Sequence, residues 1–202
     1  MEYLVLGFFT GISLILAIGA QNIFVIEQGL KKQHIFLVCF VCSISDLILI
    51  FLGIFLFHYF IQHFNPIIEL VFNILLIIFL IHFIYTKIKY FNSKVYLNDE
   101  VPEISKFKIF IKTLGFTYLN PHVYSDTVFF LGNFSKNFVL NQKILFGVGA
   151  SIASFLFFFV IGYLSKYLSH YAKSEKVWKI INIFIISFMS LVTIFVVLET
   201  IS

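Results

Sequence analysis

Two aspartates lie within stretches that are otherwise apolar enough to cross a lipid bilayer. Asp46 is at the centre of residues 35–57, with Ser43 one turn away, and Asp126 lies in residues 112–132. An aspartate near the middle of a membrane costs about 2.5–3.5 kcal/mol on insertion scales, so it is read by default as functional. A buried carboxylate must accept hydrogen bonds, as Asp46 could from Ser43, or take up a proton, or meet a cationic ligand. The pair therefore predicts a site for a cation or for protons within the membrane.

A helix break is predicted just before Asp126. Pro121 removes a backbone donor and clashes with the preceding turn, and in lipid the freed carbonyl needs a partner in the protein or in a cavity. His122 precedes Asp126 by four residues, which puts both on one helix face, and Asn120 and Tyr124 form the adjacent row. These side chains are therefore candidates to line the same site as Asp126.

A second weak point falls at the end of the first apolar segment, in the run Gly19, Ala20, Gln21 and Asn22. The glycine and the two amides loosen a helix there, and the N-terminus of a half-helix favours the carboxylate of a substrate. Taken alone, the run fits a fraying helix end at the membrane interface equally well. Together with the aspartates, it predicts a site for both charged ends of an amino acid.

Several kinds of chemistry suit these residues. Two carboxylates can hold an ammonium or guanidinium group, or protons in its absence, and competition between the two is the physical basis of antiport. Aspartate, histidine and asparagine also bind hard cations, so a divalent-metal exporter is the alternative. Cys39 and Cys42 would suit a thiol relay, but buried apolar packing is favoured because the second half has no partner thiol. We expect no catalytic residue, no resident metal and no cofactor.

The composition is that of an all-α polytopic membrane protein. Of the 202 residues, 60% are hydrophobic and 12% are charged, and the mean hydropathy is +1.01. We expect the net charge of +4 to report orientation and not nucleic-acid binding. Six apolar segments each approach the roughly 20 residues that span a bilayer: residues 3–26, 35–57, 67–86, 112–132, 144–163 and 180–198.

Lysines predict the orientation. All 14 basic residues are lysines, and 12 of them fall in the alternate loops one, three and five. Lysine-rich loops face the cytoplasm, so both termini are predicted to face the periplasm if all six segments span. Glu27 falls at the end of the first segment, where we expect interfacial water to solvate it.

The chain is interpreted as one transmembrane domain, 1–202, that contains two repeats. Repeat one is residues 1–86, a polar cytoplasmic connection follows at 87–112, and repeat two is residues 113–202. Three spans in each repeat would turn the second copy upside down relative to the first. Paired interrupted helices in an inverted repeat are typical of secondary transporters that bind substrate near the bilayer midplane.

Short matches support the repeat at a spacing near 101–109 residues. The run from Cys42 to Asp46 parallels the run from Ala150 to Ser154. Gly19-Ala20 falls opposite Asn120-Pro121, so the two helix breaks occupy corresponding positions.

Small residues mark two predicted packing faces, Gly7 with Gly11 in the first segment and the run from Gly147 to Ser154 in the fifth. Such faces let helix backbones approach closely in lipid. We favour packing within one chain, and a homo-oligomer is the other use of these faces.

Four runs carry a resemblance to a known family. In them the chain resembles the LysE/ArgO-type exporters of basic amino acids, and it is most similar to the arginine-exporting branch through His-Val-Tyr-x-Asp-Thr at 122–127. The resemblance implies a bacterial inner-membrane exporter of L-arginine or L-lysine that is driven by the proton-motive force, with Asp46 and Asp126 as its important pair. The runs recur in family order and spacing over nearly the whole chain: residues 19–29, 43–46, 119–126 and 176–182.

The chain departs from the family pattern at two positions. Ala20 stands where the family typically has proline, which weakens the expectation of a sharp break in the first segment. Tyr118 stands where the family usually has tryptophan before Leu-Asn-Pro, a milder change.

Overall fold

The structure, a computed structural model, describes residues 1–16, 19–63, 66–89, 104–170 and 175–201, and in these ranges the chain forms helices joined by short turns. Most of the predicted connection at 87–112 lies outside these ranges. In chain order the elements are α1 (Glu2–Ile15), α2 (Ala20–Lys31), α3 (Ile35–His63), α4 (Pro66–Lys89), α5 (Lys106–Tyr118), α6 (Pro121–Tyr124), a π-helical segment (Ser125–Phe130), α7 (Leu131–Phe134), α8 (Leu140–Leu168) and α9 (Glu175–Ile201).

Several of these helices are long and apolar enough to cross a membrane. Among the described residues, Ile35–Phe57 of α3, all of α8 and Lys179–Leu198 of α9 meet that test. The pair α1 and α2, bent by 82°, meets it as a single broken span. The chain is therefore a multi-pass membrane protein, whereas the count of six spans and the inverted repeat remain predictions.

Both predicted helix breaks are present. α1 ends at Ile15 and α2 begins at Ala20, so the first segment is broken although proline is absent there. α5 ends at Tyr118 and α6 begins at Pro121. Proline fits the first position of a helix because its missing N–H would have no partner there.

At each break, a side chain from the following helix satisfies one of the carbonyls that the break sets free. Asn22 Nδ2 donates to the carbonyl of Ile15 at 3.0 Å, across the first break. The Tyr124 hydroxyl donates to the carbonyl of Tyr118, also at 3.0 Å, across the second. These bonds meet, inside the protein, part of the requirement that lipid imposes on an interrupted helix.

Helix α8 is the scaffold for the first half of the chain, because it packs against α1, α2 and α3. Glycine allows the closest of these contacts. A Cβ atom on Gly7 would lie 2.0 Å from the carbonyl oxygen of Phe146, and one on Gly149 would lie 2.0 Å from that of Leu4. Gly11 meets Ala150 in the same way, so the first predicted small-residue face packs on α8 within the chain, whereas Gly147 of the second face meets Phe51 and Ile54 of α3.

An aromatic cluster fills the space between α2, α4 and α5. The ring of Phe116 stacks on Phe24 with centroids 4.6 Å apart, and Phe79 and Phe83 meet its edge at 4.8 and 5.1 Å. Phe24 and Phe116 are almost completely buried. We call these four rings the aromatic cluster.

Candidate functional site

A cavity of about 510 Å³ opens where the two helix breaks meet. Its size is in the usual range for a small-molecule site, and most of its wall is apolar. It is lined by the end of α1, the start of α2, the middle of α3, the α6–π region, and parts of α8 and α9: Leu14, Ile15, Gly19, Ala20, Gln21, Asn22, Asp46, Asn120, His122, Val123, Asp126, Thr127, Phe158, Leu191, Val192 and Phe195.

The two membrane aspartates line this one cavity. Asp46 comes from α3 and is 3% exposed, whereas Asp126 comes from the π-helical segment and is partly exposed. No lysine is among the described residues of the wall. The site therefore presents two carboxylates and one histidine, His122, with no lysine in its described lining, so its charge leaves a place for a cationic ligand.

Ser154 on α8 holds Asp46. Its hydroxyl donates to Asp46 Oδ2 at 2.8 Å. The sequence suggested Ser43 for this contact, but the Ser43 hydroxyl donates instead to the carbonyl of Cys39 at 2.8 Å. A serine inside a helix commonly bonds back to the carbonyl four residues earlier, which turns it away from its own helix neighbours.

The start of α2 lines the cavity and brings hydrogen-bond donors to it. Gly19 and Ala20 lie in the wall, so the N-terminal end of a 12-residue helix, with its partial positive charge, points into the site. Gln21 is 6% exposed, and its Nε2 donor has no hydrogen-bond partner among the described residues. A buried donor without a partner is costly, and a ligand carboxylate would satisfy it.

The second break shapes the opposite wall. Asn120 Oδ1 accepts the backbone N–H of His122 at 3.2 Å, which caps the start of α6. The His122 ring lies 5.6 Å from the ring of Phe195 on α9. Asp126 follows in the π-helical segment, a rare geometry that occurs frequently at functional sites.

A close helix approach accompanies the π-helical segment. A Cβ on Gly53 of α3 would lie 2.6 Å from the carbonyl oxygen of Thr127 and from the Cα of Val128. The Thr127 hydroxyl donates back to the carbonyl of Val123 at 2.6 Å. These contacts bring the backbone beside Asp126 against α3, the helix that carries Asp46.

Most of the predicted site residues come together. Gly19, Ala20, Gln21, Asn22, Asp46, Asn120, His122 and Asp126 all line the cavity. Ser43 and Tyr124 are not among the lining residues, and the side chain of Pro121 lies outside the part of the chain that the structure describes.

Sequence reasoning missed Ser154, Thr127, Phe158 and the wall from α9. Ser154 had a usable signal, because the repeat alignment places it opposite Asp46. The apolar wall residues had none, since they read like any other membrane-facing side chains.

One expectation about charge is wrong. Glu27 was expected to be solvated, but it is 1% exposed. Its Oε1 accepts hydrogen bonds from Lys31, one turn on, and from Lys87 Nζ at 2.9 Å, at the end of α4. Two ammonium groups compensate the buried charge, which is why the acid can lie inside the protein. We call Glu27, Lys31 and Lys87 the ion cluster.

The cysteines are packed in the core. Cys39 and Cys42 are both 0% exposed and free, and Cys39 Sγ donates to the carbonyl of Phe158 at 3.2 Å. A Cβ on Gly162 would lie 2.5 Å from that sulfur. These contacts fit packing and leave no access for an exchanging thiol.

A broken-helix membrane protein with a central, carboxylate-lined cavity has the features of a secondary transporter. The chain matches the family described as LysE type translocator over residues 12–200. It therefore belongs to the LysE family.

Its relatives are similar over most of their length. The chain is 33% identical to the arginine exporter protein ArgO of Pectobacterium carotovorum subsp. carotovorum (strain PC1) over 181 residues, 89% of this chain and 88% of that protein. It is 34% identical to the protein of the same name from Klebsiella pneumoniae (strain 342) over 179 residues, 88% of this chain and 84% of that one. No solved structure matches the chain.

Proposed function

We propose that this protein exports basic amino acids, L-arginine or L-lysine or both, across the bacterial inner membrane in exchange for protons. The observation that carries the proposal is the single cavity that Asp46 and Asp126 both line, with no lysine in its described wall. The relatives named as arginine exporters support the same class of substrate. This assignment makes the protein a transporter and not an enzyme.

The two ends of an amino acid find complementary groups in the cavity. Its guanidinium or ammonium group pairs with Asp46 and Asp126, and the hydroxyl of Ser154 fixes the orientation of Asp46. Its α-carboxylate meets the unpartnered Gln21 Nε2 and the N-terminal end of α2. His122 and Asn120 complete the polar wall.

Proton exchange follows from the same carboxylates. A proton and a cationic substrate compete for them, so release of one favours uptake of the other. Moving one positive charge outward against a potential of about 100 mV costs roughly 2.3 kcal/mol. Exchange for one proton cancels that charge and couples export to the pH gradient.

The orientation belongs to the same proposal. Lysine-rich loops place the C-terminal end of α2 on the cytoplasmic side and both termini in the periplasm. The hydrogen bond between Asp46 and Ser154 supports the inverted repeat, because these residues correspond in the two copies. Equivalent positions near the axis of an inverted repeat are expected to meet in this way.

Export of labelled substrate from dipeptide-loaded cells tests the proposal. Cells that express the protein should release arginine or lysine faster than a deletion strain, and an uncoupler should remove the difference. Equal release from the two strains for both amino acids would contradict export. Faster release that an uncoupler leaves unchanged would contradict proton exchange alone.

The divalent-metal alternative is not favoured by the geometry. Within the described ranges, no three or more His, Cys, Asp or Glu side chains are grouped so that they could hold a metal ion. Growth of the deletion strain separates the two functions. We expect it to be sensitive to arginine-containing dipeptides, whereas sensitivity to metal salts alone would support the alternative.

A further inference from the structure

The ion cluster lies in line with the cavity along α2. Ala20 lies in the cavity wall, Phe24 belongs to the aromatic cluster, and Glu27 follows at the seventh position after Ala20. These positions lie near one face of a helix, and at about 1.5 Å per residue Glu27 is roughly 10 Å from the wall. The aromatic cluster therefore lies between Glu27 and the end of α2 that lines the acidic cavity.

The Glu27 carboxylate is only half satisfied. Its Oε1 accepts from two lysines, whereas the buried Oε2 has no hydrogen-bond partner among the described residues. A buried acceptor without a partner is unfavourable. A guanidinium group has a fork of donors that bonds both oxygens of a carboxylate at once, which a single lysine ammonium does not do. The two lysines thus compensate the charge of Glu27, but one of its oxygens is left without a donor among the described residues.

Lys87 connects the ion cluster to its surroundings. Its Nζ donates to Asn182 Oδ1 on α9 at 3.0 Å and lies 5.9 Å from the centroid of the Phe83 ring. Displacement of Lys87 from Glu27 would therefore disturb the contact between α2, α4 and α9 and the packing of the aromatic cluster. Lys87 therefore links the ion cluster to the aromatic cluster, because it contacts Glu27 and Phe83 at once.

We propose that Glu27 is a second cation-binding site on the export path, at which Lys87 occupies the position that the substrate's guanidinium or ammonium group takes when the aromatic cluster opens. The inference rests on the proposed export of basic amino acids. The incoming substrate exchanges with Lys87 at Glu27, and the displaced lysine releases its hold on α9 and Phe83. Glu27 is then a carboxylate that the substrate meets on the side of the lysine-rich loops before it reaches the cavity.

Membrane vesicles of opposite orientation test this site. In inside-out vesicles, uptake of labelled arginine measures KM at the cytoplasmic face. In right-side-out vesicles, arginine exchange measures KM at the periplasmic face. We expect Glu27→Gln to raise the cytoplasmic KM about tenfold, since it removes a charge-assisted contact. The periplasmic KM should change less than about twofold, because that face reaches the cavity first.

Lys87→Gln gives the opposite result if the lysine competes with substrate. We expect it to lower the cytoplasmic KM, because Glu27 loses an occupant that substrate must displace. A purely structural ion pair predicts instead that both substitutions raise KM or lower activity together. If Glu27→Gln fails to accumulate in the membrane, Lys87→Gln decides alone, and an unchanged or raised KM overturns the inference.

Matched controls remove the same charges elsewhere. Glu2→Gln changes an exposed acid in the first turn of α1, and Lys89→Gln changes an exposed lysine on the same helix as Lys87. Both should leave the cytoplasmic KM unchanged. Wild-type vesicles that take up neither arginine nor lysine would defeat the proposed function itself. Normal wild-type uptake with an unchanged KM in Glu27→Gln would defeat only the second site.

Discussion

The carboxylates near the two ends of α2 differ in whether lysines are bonded to them. At its N-terminal end, the cavity contains Asp46 and Asp126 without a lysine among the described lining residues. At its C-terminal end, Glu27 is bonded to Lys31 and Lys87. The helix dipole supports this division, since an N-terminus favours a substrate anion and a C-terminus favours fixed cations. A carboxylate that no lysine holds is available to a mobile cation, whereas one that is paired with lysines is closed to it until a lysine moves.

The largest effect on export should come from neutralising an aspartate of the cavity, where no lysine is paired with the carboxylates. We expect Asp46→Asn or Asp126→Asn to reduce arginine export by about a hundredfold or more. Each substitution removes one of the two carboxylates that compensate the positive charge of the substrate in the cavity. Resistance of cells to a toxic arginine analogue measures this loss, with protein levels checked in the membrane fraction. Wild-type resistance in both variants would end the carboxylate account.

Substitution of the two glycines near the ends of α2 should affect the stability of the protein to different extents. A Cβ on Gly29 would lie 2.4 Å from the carbonyl oxygen of Gly162, whereas one on Gly19 meets nothing within 4 Å. We expect Gly29→Ala to lower the free energy of unfolding by about 1–3 kcal/mol through overpacking. Gly19→Ala should change it by less than about 0.5 kcal/mol. Unfolding of the purified protein in detergent measures both, and equal losses would contradict the observed packing.

A smaller effect is expected from the hydroxyl that holds Asp46. Ser154→Ala should raise the KM for arginine by about fivefold to tenfold, since the carboxylate loses one hydrogen bond and its fixed orientation. Ser43→Ala is the matched control, because the Ser43 hydroxyl bonds to the carbonyl of Cys39. It should change KM by less than about twofold. The reverse order of effects would show that Ser43 supports Asp46, as the sequence first suggested.

The smallest effect should come from the thiols. Cys39→Ala removes one sulfur contact in the core, so export should stay within about twofold of the wild type. The measurement is the same labelled-arginine export. Loss of all export at normal protein levels would revive the thiol-relay hypothesis.

The residues of the cavity could be predicted from the sequence because they are polar or helix-breaking residues within apolar segments. A membrane aspartate, an Asn-Pro pair and a run of amides are each unusual in apolar surroundings, and eight of the ten predicted residues whose side chains the structure describes line the cavity. The helix breaks were predictable for the same reason. A new helix begins even at Ala20, where the family typically has proline.

The remaining features depend on contacts distant in sequence. Glu27 looked solvated because its partner Lys87 is 60 positions away, on α4. Ser154 looked like part of a packing face, although the repeat alignment had already paired it with Asp46. The apolar wall from α9 carries no exceptional residue, so only its position in the fold reveals it.

Competition binding to the purified protein tests the central claim most directly. Labelled arginine is displaced by unlabelled arginine, lysine or citrulline, which matches arginine in length but has no charge on its side chain. Citrulline should bind at least about thirtyfold more weakly than arginine to the wild type, because it cannot pair with Asp46 and Asp126. Asp46→Asn should lose most of that preference. Displacement by citrulline as strong as that by arginine, or an unchanged preference in Asp46→Asn, would contradict a cavity built around two carboxylates.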